Sequence, residues 1–166
     1  MSEYAVSAKV IASLLVAIAS YTGFAIPGTP PTVRFLPASE LQRRFCGYRC
    51  PIHAFFPPGQ TIYLEQGMDV VHDPANESIL VHELTHWLQQ ANDRHAVAQS
   101  CQEWLDREYQ AYDVQFRWLR DQSKTVGGFA AEMAKLGSRT LIARCPSPEQ
   151  GHPSTPSDSA LAASPR

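Results

Sequence analysis

Two histidines and a glutamate stand in this sequence at the spacing that zinc hydrolases use. His82, Glu83 and His86 form the pattern H-E-x-x-H. Residues four apart lie on one face of a helix, so both imidazoles can reach one metal ion. The glutamate between them can act as a general base toward a metal-activated water. The pattern predicts a metal-dependent hydrolase, and the alternative is a buried helix whose two histidines serve only packing.

The helix that must carry this pattern is predicted from apolar periodicity. One apolar stripe is formed by residues that recur at steps of three and four, namely Leu80, Leu84, Trp87, Leu88 and Ala91. The two histidines fall nearly opposite this stripe, so their face of the helix is expected to border a cleft. Asp73-Pro74 is a helix-start signal, Ser78 is a second candidate cap, and the helix should end at Asn92-Asp93.

A third ligand is expected from a second long helix over residues 100–122. Glu108 shares a helical stripe with apolar residues there, and a carboxylate facing a core needs a metal or a charge to offset its desolvation. His95, Asp106 and Asp113 are the alternatives. A metzincin site is excluded, because Asn92 stands where its third histidine would be.

Two histidines and one glutamate match the catalytic type of zinc site, which leaves a position for water. We therefore expect one Zn²⁺ bound by His82, His86 and Glu108, with Glu83 as the catalytic base. The donor that would stabilise the oxyanion is left open among Tyr109, Tyr112 and His95.

The first 26 residues predict a secretory signal peptide. Lys9 precedes an apolar run over residues 10–19, and Ala17-Ile18-Ala19 supplies the small-residue pattern for cleavage. This predicts a secreted or periplasmic protein. The alternative is an uncleaved membrane anchor, and a membrane is an expected partner only in that case.

Four cysteines suit an oxidising compartment, and we expect them to form disulfides rather than a zinc site. They are Cys46, Cys50, Cys101 and Cys145. Three connectivities are open. The first choice pairs Cys46 with Cys50 and Cys101 with Cys145, because a three-residue spacer can close a tight loop.

The remaining organisation predicts one α+β domain over residues 32–145. A Pro/Gly linker at 27–31 precedes it, and a disordered Pro/Ser-rich tail follows at 146–166. The expected elements are strands at 32–36, 52–56 and 61–65, a short helix at 38–45 capped by Ser39, and a third helix at 129–136. The strands should form a short antiparallel sheet packed on the metal helix, with the strand at 61–65 at its edge beside the cleft, where an extended peptide could pair with it.

Composition narrows the partners. The 166 residues carry a formal net charge of −2 and no basic run, which argues against nucleic acid as a partner. The expected partner is a peptide or protein substrate, and the expected oligomeric state is a monomer.

The arrangement of His82, His86 and Glu108, with the glutamate 22 positions after the last histidine, resembles the gluzincin class of zinc metallopeptidases and its minimal members, the minigluzincins. Residues 81–89 and 101–115 also resemble a group of small secreted bacterial proteins without an assigned function. The resemblance covers residues 32–122. It implies a zincin-like fold, these three ligands and Glu83 as base. Many gluzincins carry an aspartate four residues after the ligand glutamate, whereas this chain has Tyr112 there, followed by Asp113.

Two further functions compete with the peptidase. One is a secreted, non-catalytic domain that binds zinc for folding or for partner contact, which a fourth protein ligand such as His95 would favour. The other is a zinc hydrolase of non-peptide amides or esters, since the same site attacks any polarised carbonyl.

Overall fold

Four helices and three strands make up the described part of the chain. The computed structural model describes residues 6–45, 52–93 and 97–123, together with Gly128, Glu132 and Met133. The elements are α1 (Ala8–Thr22), β1 (Thr32–Leu36), α2 (Ala38–Phe45), β2 (Ala54–Phe55), β3 (Thr61–Glu65), α3 (Pro74–Asn92) and α4 (Cys101–Gln122). The predicted α+β class is confirmed.

The three strands form a mixed sheet in the order β1-β3-β2. β2 and β3 make the predicted antiparallel hairpin, with Phe55 opposite Tyr63. β1 pairs with β3 in parallel, from Thr32 opposite Thr61 to Leu36 opposite Glu65. The prediction of a wholly antiparallel sheet is therefore wrong, and so is the placement of β3 at the edge. The segment from β1 to β3 contains α2 and β2, which is long enough for the crossover that a parallel pair requires.

The metal-binding pattern lies on α3, and local chemistry fixes where this helix begins. The Asp73 side chain accepts hydrogen bonds from the backbone N–H groups of Ala75 and Asn76, and Pro74 occupies the first turn. Ser78 is not a cap, because it lies inside α3 and its hydroxyl donates to the Ala75 carbonyl. Ser39 is likewise inside α2, which begins at Ala38, so its predicted role as a cap is wrong.

α3 is the central element of the core. It packs most extensively against α4, and it also contacts α1 and the sheet. Ile62 and Leu64 of β3 are fully buried in the same core. Burial extends beyond the predicted apolar stripe to Ser78, His82, Glu83, Thr85 and Gln89. Polar side chains are rarely buried unless they have hydrogen-bond partners or a functional role. These five buried polar residues therefore mark the expected location of a functional site.

α1 contributes an apolar face to this core. Ile11, Leu14, Leu15 and Ile18 are buried, while Val16 on the opposite face is exposed. Left-handed Gly23, with φ of 75°, ends the helix, and the segment from residue 23 to 31 has no regular secondary structure.

Polar contacts fix the C-terminal end of α1 on the other helices. The Tyr21 hydroxyl donates to Asp121 at 2.6 Å, and the Arg117 guanidinium lies 4.8 Å from the centre of the Tyr21 ring. The Asn92 side chain bonds both the N–H and the carbonyl of Ala25, at 2.8 and 2.9 Å. Burial and the neighbouring Asp121 carboxylate raise the pKa of Tyr21 to about 12. These directional contacts hold α1 in one orientation.

Within the described ranges no helix combines the length and the hydropathy that crossing a bilayer requires. The predicted signal peptide over residues 1–26 and the predicted localisation remain predictions.

Other predictions concern residues outside the described ranges. The residues concerned are Cys46, Cys50, Cys145, His95, the tail at 146–166 and most of the helix at 129–136. In that last segment Glu132 and Met133 are described, and both are helical. Cys101, at the first position of α4, is not a free thiol. The connectivity of the cysteines therefore stays a prediction.

Candidate metal centre

Three side chains from two helices converge on one point. On α3, the Nε2 atoms of His82 and His86 are 3.1 Å apart. On α4, the Glu108 carboxylate lies 3.2 Å from His86 Nε2 and 3.4 Å from His82 Nε2. Among the described residues this is the group of three whose ligand atoms could hold one metal ion. The structure thus brings together the three residues that the sequence predicts as ligands.

The spacing of these atoms can be tested against a metal ion. A tetrahedral zinc ion with bonds of about 2.0–2.1 Å separates neighbouring ligand atoms by about 3.3 Å. The two Nε2 atoms are 3.1 Å apart, Glu108 Oε1 lies 3.2 Å from His86 Nε2, and the second oxygen, Oε2, lies 3.4 Å from His82 Nε2, so each of these contacts is close to that value. Two imidazole nitrogens favour zinc or another first-row transition metal over magnesium and calcium, which prefer oxygen ligands. The donor set therefore fits zinc.

The packing of α3 against α4 sets this geometry. His82 and His86 are one turn apart on α3, so their rings share a face, with ring centres 4.7 Å apart. A buried hydrogen bond from the Gln115 amide to the Ser78 hydroxyl, at 3.2 Å, crosses the same helix interface. Glu108 is carried on α4 to the position opposite the two imidazoles.

Electrostatics at the site follow from this closeness. Burial alone would raise the pKa of Glu108, but hydrogen bonds from His82 and His86 and their positive charge outweigh it and hold the pKa at about 2. Burial alone would lower the pKa of His86, but the hydrogen bond and charge of Glu108 and the charge of Glu83 outweigh it and raise the pKa. Glu108 is therefore a carboxylate at neutral pH, which is the form that binds a cation.

Glu83 lies on α3 beside the triad of His82, His86 and Glu108, and it is only 8% exposed. Burial raises its pKa, and the neighbouring Glu108 adds to the rise, while the charges of His82 and His86 and a hydrogen bond from the backbone N–H of Phe56 oppose it. A carboxylate with a raised pKa accepts a proton more readily near neutral pH, which suits a general base.

The other candidates from the sequence are placed as follows. Asp106 is exposed and accepts a hydrogen bond from Gln102, and Asp113 is exposed and lies 3.7 Å from Arg117, so neither belongs to the triad. The Tyr112 ring packs against His82 at a tilt of 54°, with ring centres 4.4 Å apart, whereas Tyr109 is more than half exposed. Of the two proposed oxyanion donors that lie within the described ranges, Tyr112 is the one that contacts a ligand.

The two imidazoles differ in the hydrogen-bond partner of their Nδ1 atoms. His86 Nδ1 is 2.8 Å from the Gln89 side-chain oxygen. His82 is 7% exposed, and its Nδ1 has no hydrogen-bond partner among the described residues. The sequence analysis did not single out Gln89, although its spacing of three residues from His86 could have indicated the contact. No pattern in the sequence pointed to the Phe56 contact with Glu83.

Comparison with known proteins gives a family without an assigned activity. Residues 5–133 match the model of the domain of unknown function DUF6647, a match that includes α1 and both helices of the metal centre. The chain therefore belongs to the DUF6647 family. No curated protein and no solved structure matches it.

Proposed function

We propose that this protein is a zinc-dependent metallopeptidase of the gluzincin type. The observation that carries the proposal is the convergence of His82, His86 and Glu108 within ligand distance of one another, with buried Glu83 on the same helix. A zinc ion held by these three side chains would keep a coordination position for water, which is the catalytic arrangement.

Each residue has a separate role in the proposed reaction. When bound, zinc would lower the pKa of a water molecule and polarise the substrate carbonyl. Glu83 accepts the proton that this water loses as the water oxygen bonds to the carbonyl carbon. Glu83 then delivers the proton to the amine nitrogen as the C–N bond breaks, so that one peptide and one water give a carboxylic acid and an amine. Tyr112, beside His82, is the candidate for stabilising the oxyanion.

The sheet supports a peptide as the substrate. β2, rather than β3, lies at the edge of the sheet, because the strand order is β1-β3-β2. β2 contacts α3, the helix that carries Glu83, and the backbone N–H of Phe56, directly after β2, is close enough to lower the pKa of Glu83. Edge strands bind extended peptides through backbone hydrogen bonds. A peptide paired with β2 through backbone hydrogen bonds would therefore have its carbonyl groups near Glu83.

Removal of the metal should abolish hydrolysis. Protein treated with a strong zinc chelator and then freed of it should cleave a mixture of unfolded proteins only at background rate, because the water and the carbonyl lose their activating cation. One equivalent of zinc should restore cleavage, measured by mass spectrometry of the released peptides. Cleavage that persists in the chelator-treated protein, or no cleavage by the zinc-loaded protein, would contradict the proposal.

A further inference from the structure

One side chain outside the triad connects both halves of the metal centre. Gln89 on α3 is 4% exposed and forms three hydrogen bonds. Its amide nitrogen donates to the Arg107 backbone carbonyl at 2.9 Å and to the Gln110 side-chain oxygen at 2.8 Å. Its oxygen lies 2.8 Å from His86 Nδ1. Gln89 thus links a ligand on α3 to the turn of α4 that carries Glu108.

The orientation of this amide follows from its partners. The Arg107 backbone carbonyl can only accept a hydrogen bond, so the Gln89 nitrogen must face it. The Gln89 oxygen then faces His86 Nδ1, and since this oxygen can only accept, Nδ1 must carry the proton. A neutral imidazole with its proton on Nδ1 has its lone pair on Nε2, the atom that faces His82 and Glu108.

We propose that Gln89 is a positioning residue that fixes the tautomer and the ring orientation of His86 for metal binding. The proposal rests on the metal site of the proposed function. Histidine ligands whose second nitrogen is held by an acceptor bind metal more tightly, and removal of the acceptor typically weakens binding by about 10–100-fold. Gln89 supplies this acceptor and, through its nitrogen, ties it to the α4 backbone.

Gln115 provides a matched control. It is also a glutamine that is 4% exposed and crosses the interface between α3 and α4, but it bonds Ser78 and no ligand. Zinc affinity, measured by competition with a chromogenic chelator, should fall about 10–100-fold in Gln89→Leu and stay at the wild-type value in Gln115→Leu. Gln89→Glu keeps an acceptor for His86 Nδ1 and loses the donor to the Arg107 carbonyl, so it should bind zinc more tightly than Gln89→Leu.

Equal zinc affinities in wild type and Gln89→Leu would overturn the proposal. Equal losses in Gln89→Leu and Gln115→Leu would also overturn it, because they would indicate a role in helix packing alone. Nitrogen NMR of metal-free Glu108→Ala gives a second readout, because Nε2 of His86 then no longer faces a carboxylate that competes for the proton. Above the pKa of His86 the proton should lie on Nδ1, and a proton on Nε2 would overturn the proposal. Wild-type protein that binds no zinc would instead contradict the proposed function itself.

Discussion

Replacing Glu83 by Gln is expected to lower kcat by about 10³-fold while the protein still binds zinc, since positioned general acids and bases contribute about 10²–10⁴-fold. The amide keeps the shape of the side chain and can no longer take a proton. Glu83 is not a member of the triad, so metal affinity should change little. Peptide release over time and zinc content, measured on the same preparation, test both parts of this expectation.

Glu77 offers a control on the same helix. It lies in the first turn of α3, and burial raises its pKa as burial raises that of Glu83, but it is outside the triad. Glu77→Gln should therefore retain turnover near the wild-type rate. If Glu83→Gln and Glu77→Gln turned over equally well, Glu83 would not be the base and the proposed mechanism would be wrong.

The second large effect is expected from α1. Deleting residues 1–25 removes four buried apolar side chains, Ile11, Leu14, Leu15 and Ile18, from the core. At about 1.5–3 kcal/mol for each buried side chain, the loss is about 6–12 kcal/mol as an upper bound. Domains of this kind are stable by only about 5–15 kcal/mol. The deleted protein should therefore be unfolded or aggregated, as measured by circular dichroism and size-exclusion chromatography.

Point variants separate packing from a general effect of shortening the chain. Ile18→Ala should cost about 2–5 kcal/mol and lower Tm by about 10 °C, because Ile18 is fully buried. Val16→Ala, two residues away on the exposed face, should change stability by about 0.5 kcal/mol or less. A deleted protein with the same Tm and zinc content as the full chain would show that α1 is not part of the core.

The sequence predicted those elements whose ends are set by local chemistry. β1, α2, β3 and α4 were predicted at or within one residue of their observed bounds, because prolines, caps and periodicity act over a few residues. Strand pairing is not local. Nothing near Thr32 indicates that β1 would pair with β3 across a crossover containing α2, so the sheet was expected to be antiparallel. The apolar run of α1 matches both a leader and a core helix, and the periodicity of the run alone cannot separate them.

The candidate site was predictable to a similar extent. The H-E-x-x-H pattern is contained in two turns of one helix, so its residues had to share a face. Glu108 was singled out because a carboxylate on an apolar stripe needs a partner, and its position 3.2 Å from His86 fits that argument. The contacts of Gln89 with Arg107 and Gln110 depend on how α3 and α4 pack. The sequence of either helix alone does not indicate how the two helices pack.

The central claim is that one cation is held from two helices by His82, His86 and Glu108. Elemental analysis of the purified protein tests it most directly, with Glu108→Ala compared with Asp106→Ala, an exposed carboxylate two residues away on α4. The wild type and Asp106→Ala should each carry one zinc per chain, and Glu108→Ala should lose it. Full zinc content in Glu108→Ala, or no metal in the wild type, would contradict the claim.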